Sequence, residues 1–99
     1  MDHVVAVWDE RKRASNLAKH GVDFPAAERI FGGPVMEAPD DRRDYGERRM
    51  KAFGAVEGRV LCVIYTWRRS ERRIISARKA NRDETQAYYQ TVAAGGRRA

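Results

Sequence analysis

Apolar residues change their spacing along the chain, and the changes mark out a run of short elements. His3 to Trp8 is rich in β-branched and aromatic residues and predicts a first strand. Asp9 is a good N-cap for a helix over Glu10 to His20, and Gly21 supplies the left-handed residue that ends it. On that helix Ala14, Leu17 and Ala18 form a modest apolar face, while Lys12, Asn16, Lys19 and His20 line up on another. Asp23 caps a second helix, with Pro25 tolerated in its first turn and Phe24, Ala27, Ile30 and Phe31 as its core side. Gly32-Gly33-Pro34 stops it.

The second half switches to strand periodicity. Val35 to Ala38 predicts a short strand, and a polar loop runs from Pro39 to Gly46. Glu47 to Val56, Arg59 to Arg68 and Arg72 to Arg78 then predict three strands whose short connections make an antiparallel meander. Leu61-Cys62-Val63-Ile64-Tyr65 is almost continuously apolar, which suits a central strand covered on both sides. Asn81 and Glu84 have capping-box spacing and open a last helix to about Ala94. The expectation is one α+β domain over residues 1–94, ordered β-α-α-β-β-β-β-α, with an antiparallel sheet, two N-terminal helices and one C-terminal helix. Residues 95–99 are expected to be a flexible tail.

Composition narrows the class. A chain of 99 residues supports one core. The longest nearly apolar run, Val60 to Trp67, is far shorter than a membrane helix needs, and the N-terminus carries no secretory signal pattern. The single cysteine, Cys62, excludes an internal disulfide framework and fits a reducing compartment, so a cytoplasmic location is expected.

Charge adds the functional lead. The net charge is +6, yet residues 1–40 hold 5 basic and 7 acidic side chains, whereas residues 41–99 hold 15 basic and 7 acidic ones. Sixteen of the 20 basic residues are Arg, whose planar fork suits phosphate. The imbalance points to RNA or DNA, or to an acidic protein partner. Metal and cofactor chemistry find little support. His3, His20 and Cys62 have no zinc-like spacing, Asp40, Asp41 and Asp44 are interleaved with arginines, and no Gly-rich phosphate loop is present. Cys62, mid-strand among apolar residues, reads as a buried inert thiol.

His20 at a helix end can cap loose carbonyls or bring positive charge to a phosphate, with Lys12 on the same helix. Strand alternation puts Cys62, Ile64, Thr66 and Arg68 on one face, groups Arg72, Ile74, Ser76 and Arg78, and aligns Glu47, Arg49, Lys51 and Phe53. Arg68 and Arg78 both fall at strand ends, from which they can reach a cleft or pair with Glu47 or Glu84.

The series Trp8-Asp9, Lys12, Asn16, Lys19-His20-Gly21-Val22, Phe24, Ala27, Phe31, Glu47-Arg48, Tyr65-Thr66, Arg73-Ile74-Ile75-Ser76-Ala77-Arg78-Lys79-Ala80, Glu84 and Tyr88 resembles BrnT-type toxins. The likeness covers nearly the whole chain. It implies a RelE-like fold and a metal-independent endoribonuclease that inhibits translation. It also implies a BrnA-type antitoxin with a ribbon-helix-helix DNA-binding element, a toxin dimer within a heterotetramer, and operator DNA bound only through the antitoxin. Carried over residue by residue, the active site is Lys12, His20, Glu47, Arg68 and Arg78, with no cofactor and no metal. On this reading the arginines stabilise the phosphorane, Glu47 takes the 2′-OH proton, and Lys12 or His20 serves as acid. The alternative is a non-catalytic module that binds nucleic acid or an antitoxin.

Overall fold

The computed structural model describes residues 4–95. Strand β1 (Ala6–Val7) leads into α1 (Glu10–His20), α2 (Phe24–Glu28) and a 3-10 turn at Arg29–Gly32. Four strands follow, β2 (Met36–Pro39), β3 (Arg49–Val56), β4 (Arg59–Arg68) and β5 (Glu71–Lys79), and the chain closes with α3 (Arg82–Ala93). This is the expected α+β order. His3, at the start of the expected first strand, and the tail beyond Gly95 lie outside the described residues.

The helix ends are fixed by the anticipated chemistry. The Asp9 carboxylate accepts from the N–H groups of Arg11 and Lys12, and Gly21 (φ 72°) ends α1 with its N–H on the Leu17 carbonyl. Asn81 and Glu84 form a reciprocal capping box at the start of α3.

The five strands make one sheet in the order β1-β5-β4-β3-β2. β2 to β5 are antiparallel to their neighbours, but β1 pairs parallel to β5 through Ala6–Arg72 and Val7–Arg73. The sheet is therefore mixed rather than wholly antiparallel. β1 and β5 are about 65 residues apart, so no hairpin fixes their relative direction, and the intervening elements supply the long crossover that a parallel pair needs.

β4 is buried on both sides, as its continuous apolar run requires. Leu61, Val63 and Tyr65 meet Phe24, Ala27 and Ile30 beneath α2 and the 3-10 turn. Cys62 and Ile64 face the other way, toward Tyr88 of α3. Gly54 of β3 lets the 3-10 turn close in, since a Cβ there would stand 2.6 Å from the Ile30 Cβ. Between β4 and β5 the register slips by one residue, pairing Tyr65 with Ile74 but Ile64 with Ser76. This bulge breaks the alternation expected on β5. Ile74 joins the α2-side core, Ile75 packs toward α3, and Ser76 and Arg78 oppose Ile64 and Cys62 on that same α3 side.

Candidate active site

α1 docks by a route its pattern of apolar residues did not suggest. Ala14, Leu17 and Ala18 are all exposed, and the buried residue of this helix is Asn16. Beyond Arg73, β5 has no neighbouring strand on its outer side. Asn16 covers that edge in the manner of a paired strand. Its Nδ2 donates to the Ala77 carbonyl (2.8 Å) and the Val22 carbonyl (2.9 Å), and its Oδ1 accepts from the Ala77 N–H (3.1 Å). A polar side chain therefore does the docking, because what the edge exposes is backbone donors and acceptors.

Lys12 and His20 stand four residues before and after Asn16, on the stripe that Asn16 fixes against β5. Together with Lys19, Ile75 and Ser76 they line a groove of about 310 Å³. Lys12 and His20 are about 12 Å apart along the helix axis, so both can reach a phosphate seated beside Asn16. Among the described residues, neither is ion-paired.

Arg78 lies on β5 two residues beyond Ser76, and its guanidinium forms a bidentate pair with Glu84 at 2.8 and 2.9 Å. Glu84 also accepts from the Asn81 N–H, and the Arg78 fork above all holds its carboxyl down at about 2. The capping box of α3 thus presets the Arg78 side chain. The expected pairing with Glu84 is present, and it leaves Arg78 on the sheet side where Ser76 stands.

Arg68 and Glu47 are elsewhere. Arg68 opposes Glu71 at one end of the β4–β5 ladder, and Arg78 opposes Cys62 toward the other. Six residues of strand separate the two positions, about 20 Å, a span longer than two arginine side chains. The expectation that both arginines surround one phosphodiester is corrected by this register: each ends its strand, but antiparallel strands end at opposite edges. Glu47 and Arg68 line a separate cavity at the far end of β3 and β4. Glu47 pairs there with Arg49 (3.0 Å), which stacks on Tyr45 (4.0 Å to the ring centroid).

The register shows which strand positions meet, and brings Arg73 to the side of Ser76, which alternation alone separates. Arg49, Thr66 and Arg73 form one row across β3, β4 and β5, and Lys51, Ile64 and Ser76 form the next. With Lys12 and Lys19 they make a basic sheet face beside the groove. The Arg-rich composition hinted at such a face, but the β5 bulge that puts Ser76 and Arg78 on it leaves no sequence signal. Cys62 is buried in this side of the core, and burial pushes its thiol up to about 11, so it is inert. Among the described residues, no three His, Cys, Asp or Glu side chains come together as a metal centre would need. Likewise, no helix among them is long and apolar enough to cross a membrane.

Known proteins agree with this architecture. The family model described as the ribonuclease toxin BrnT of type II toxin–antitoxin systems matches residues 8–84, which include α1, the whole meander and Glu84. The crystal structure of the Brucella abortus ribonuclease toxin BrnT superposes with a TM-score of 0.65 at 31% identity, covering 81% of this chain and 100% of that one. A search of curated proteins gave no match. With the family model spanning most of the chain and the fold matched along the full length of a BrnT structure, this chain belongs to the BrnT family of ribonuclease toxins.

Proposed function

We propose that the protein is a metal-independent endoribonuclease whose chemistry is done at the α1–β5 groove by Lys12 and His20, with Arg78 reaching in from the same side of β5 as Ser76. Metal-free RNA cleavage needs a base for the ribose 2′-OH, positive charge around the phosphorane and an acid for the leaving oxygen. His20 takes the 2′-OH proton as the 2′ oxygen bonds to phosphorus. The P–O5′ bond breaks, and Lys12 supplies the proton to the 5′ oxygen. Arg78, held by Glu84, contributes charge on the phosphate side. The products are a 2′,3′-cyclic phosphate and a 5′-hydroxyl, and DNA is not cut because it lacks the attacking hydroxyl.

The observation that carries this reading is that Lys12 and His20 flank Asn16 and share one groove with Ser76. Glu47, assigned as base from the family likeness, is instead neutralised by Arg49 at the far end of the sheet. There Arg68 serves to hold substrate.

In the cell this activity inhibits translation in the cytoplasm. The partner is a BrnA-type antitoxin that carries the ribbon-helix-helix element, joins two toxins in a heterotetramer and alone contacts operator DNA. The basic sheet face is suited to an acidic antitoxin segment as well as to RNA.

Cleavage of a labelled RNA in the presence of chelator tests the proposal. His20→Ala and Lys12→Ala should each lower the rate by about 10²–10⁴-fold while melting like the parent, and the ends should be cyclic phosphate and 5′-hydroxyl. Cleavage that appears only with added magnesium, or that survives His20→Ala at the parent rate, refutes it. RNA binding with no cleavage by the parent would make the protein a binding module.

A further inference from the structure

The cavity at the far end of β3 and β4 is the largest of those described, about 590 Å³, within the range of small-molecule sites. Its walls carry Trp67, Met50 and Pro39 together with Arg48, Arg68 and Glu47. Trp67 is 46% exposed, yet it is held firmly. Tyr65 meets it edge-on at 5.6 Å, and the buried Arg72 guanidinium lies 4.8 Å from its ring centroid. Arg72 is itself clamped by Phe31 at 3.6 Å. A large indole fixed from behind and open in front is costly to leave in water and ready-made for stacking. Arg48 and Arg68 are not ion-paired among the described residues, whereas the carboxylate beside them, Glu47, is occupied by Arg49. The cavity therefore offers a flat aromatic surface with two available guanidinium groups.

We propose that this cavity is a nucleotide subsite that stacks a base of single-stranded RNA on Trp67 and takes the adjoining phosphate on Arg48 and Arg68. The inference rests on RNA being the substrate and adds where a distal part of it is held. Trp67 stands with Tyr65 and Arg72 on the α2 side, so the strand would cross the basic rows from the α1–β5 groove and turn around the end of β4 to reach it. The roughly 20 Å between Arg78 and Arg68 is the length of several nucleotides at about 3.4 Å or more each.

The probe is a mixed-sequence 2′-O-methyl oligoribonucleotide, which cannot be cut, compared with inorganic polyphosphate, a polyanion without bases. Trp67→Leu should weaken oligonucleotide binding about tenfold, the loss expected for one stacked base, and leave polyphosphate binding unchanged. Trp67→Phe should retain most of the affinity. Equal losses for both probes, or no loss for either, overturn the subsite. So does a Trp67→Leu protein that binds the oligonucleotide normally but loses its antitoxin, since the surface would then serve a protein partner. If Trp67→Leu does not fold, Trp67 fluorescence in Trp8→Phe protein decides: quenching by the oligonucleotide and not by polyphosphate supports the subsite, and no quenching refutes it. A protein that passes these tests but cuts no RNA removes the nuclease reading and keeps the subsite.

Discussion

The two faces of the sheet are built from different materials. On the α2 side, eleven buried residues including Phe24, Ile30, Leu61, Val63, Tyr65 and Ile74 form one continuous apolar cluster. On the α3 side the buried cluster has five members, Phe53, Val60, Cys62, Ile64 and Tyr88, and the other strand positions on that side include Arg49, Lys51, Thr66, Arg73, Ser76 and Arg78. A core this lopsided puts most of the hydrophobic stabilisation on one face. The other can then keep charged groups in the open. The division of labour is steric as well as energetic, because a single helix leaves part of the α3-side face uncovered while α2 and the 3-10 turn close off the opposite one.

The sharpest way to break this contrast is to damage the apolar face. Phe24 is fully buried and touches Trp8 edge-on, so Phe24→Ala should destabilise the protein by about 3–5 kcal/mol. Denaturant unfolding measures this. If the two faces are independent, the folded fraction should still bind RNA with parent affinity. A stability loss below about 1 kcal/mol would mean that the α2-side cluster does not carry the fold.

Asn16 joins the two regions, since it secures α1 to β5 and aims Lys12 and His20. Asn16→Ala strands the Ala77 N–H and the carbonyls of Ala77 and Val22, and each buried orphan costs about 1–3 kcal/mol. With some relief from entering water, a net loss of about 2–3 kcal/mol is expected. Asn16→Asp is the discriminating partner. It keeps the acceptor for the Ala77 N–H but turns a second oxygen toward two carbonyls, so it should be no better than alanine. Both variants should also lose cleavage at temperatures where they remain folded. Folded Asn16→Asp with unchanged activity would show that the helix does not need this anchor to place Lys12 and His20.

How much of this was legible beforehand follows from the same contrast. Local chemistry was: Asp9, Gly21, Asp23 and the Asn81–Glu84 box end or begin elements where the sequence puts them, because a cap is decided within a few residues. The double-sided burial of Leu61 to Tyr65 was also readable, as an uninterrupted apolar run admits little else. The docking of α1 was not, because its apolar residues Ala14 and Leu17 point to a core that the strand edge does not provide. Nor was the parallel pairing of β1, which depends on a partner some 65 residues away. The site suffered most from register. Glu47, Arg68 and Arg78 are all in strands or beside them, as expected, but which ends meet is set by hairpin direction and by one bulge. Counting along a single strand cannot supply either.

The smallest effect concerns the link between α3 and β5, the Arg78–Glu84 pair. Glu84 ionises at about 2, well below the usual glutamate range, chiefly because Arg78 donates two hydrogen bonds to it and secondarily because the Asn81 N–H does. A carboxyl whose folded value is depressed contributes stability that is complete above its unfolded value, near 4.5, and disappears as the pH falls toward 2. Arg78 keeps 38% side-chain exposure, so solvent screening limits the pair to about 1 kcal/mol at neutral pH. Glu84→Gln should therefore melt slightly below the parent at pH 7, and the two curves should converge on acidification between about 4.5 and 2. The same variant frees Arg78 from its clamp while leaving its charge. If the clamp matters for orientation, cleavage should fall more than stability does. If Glu84→Gln cleaves at the parent rate and its melting curve parallels the parent at every pH, the α3 side contributes neither orientation nor pH-dependent stability. The two faces would then differ in burial alone.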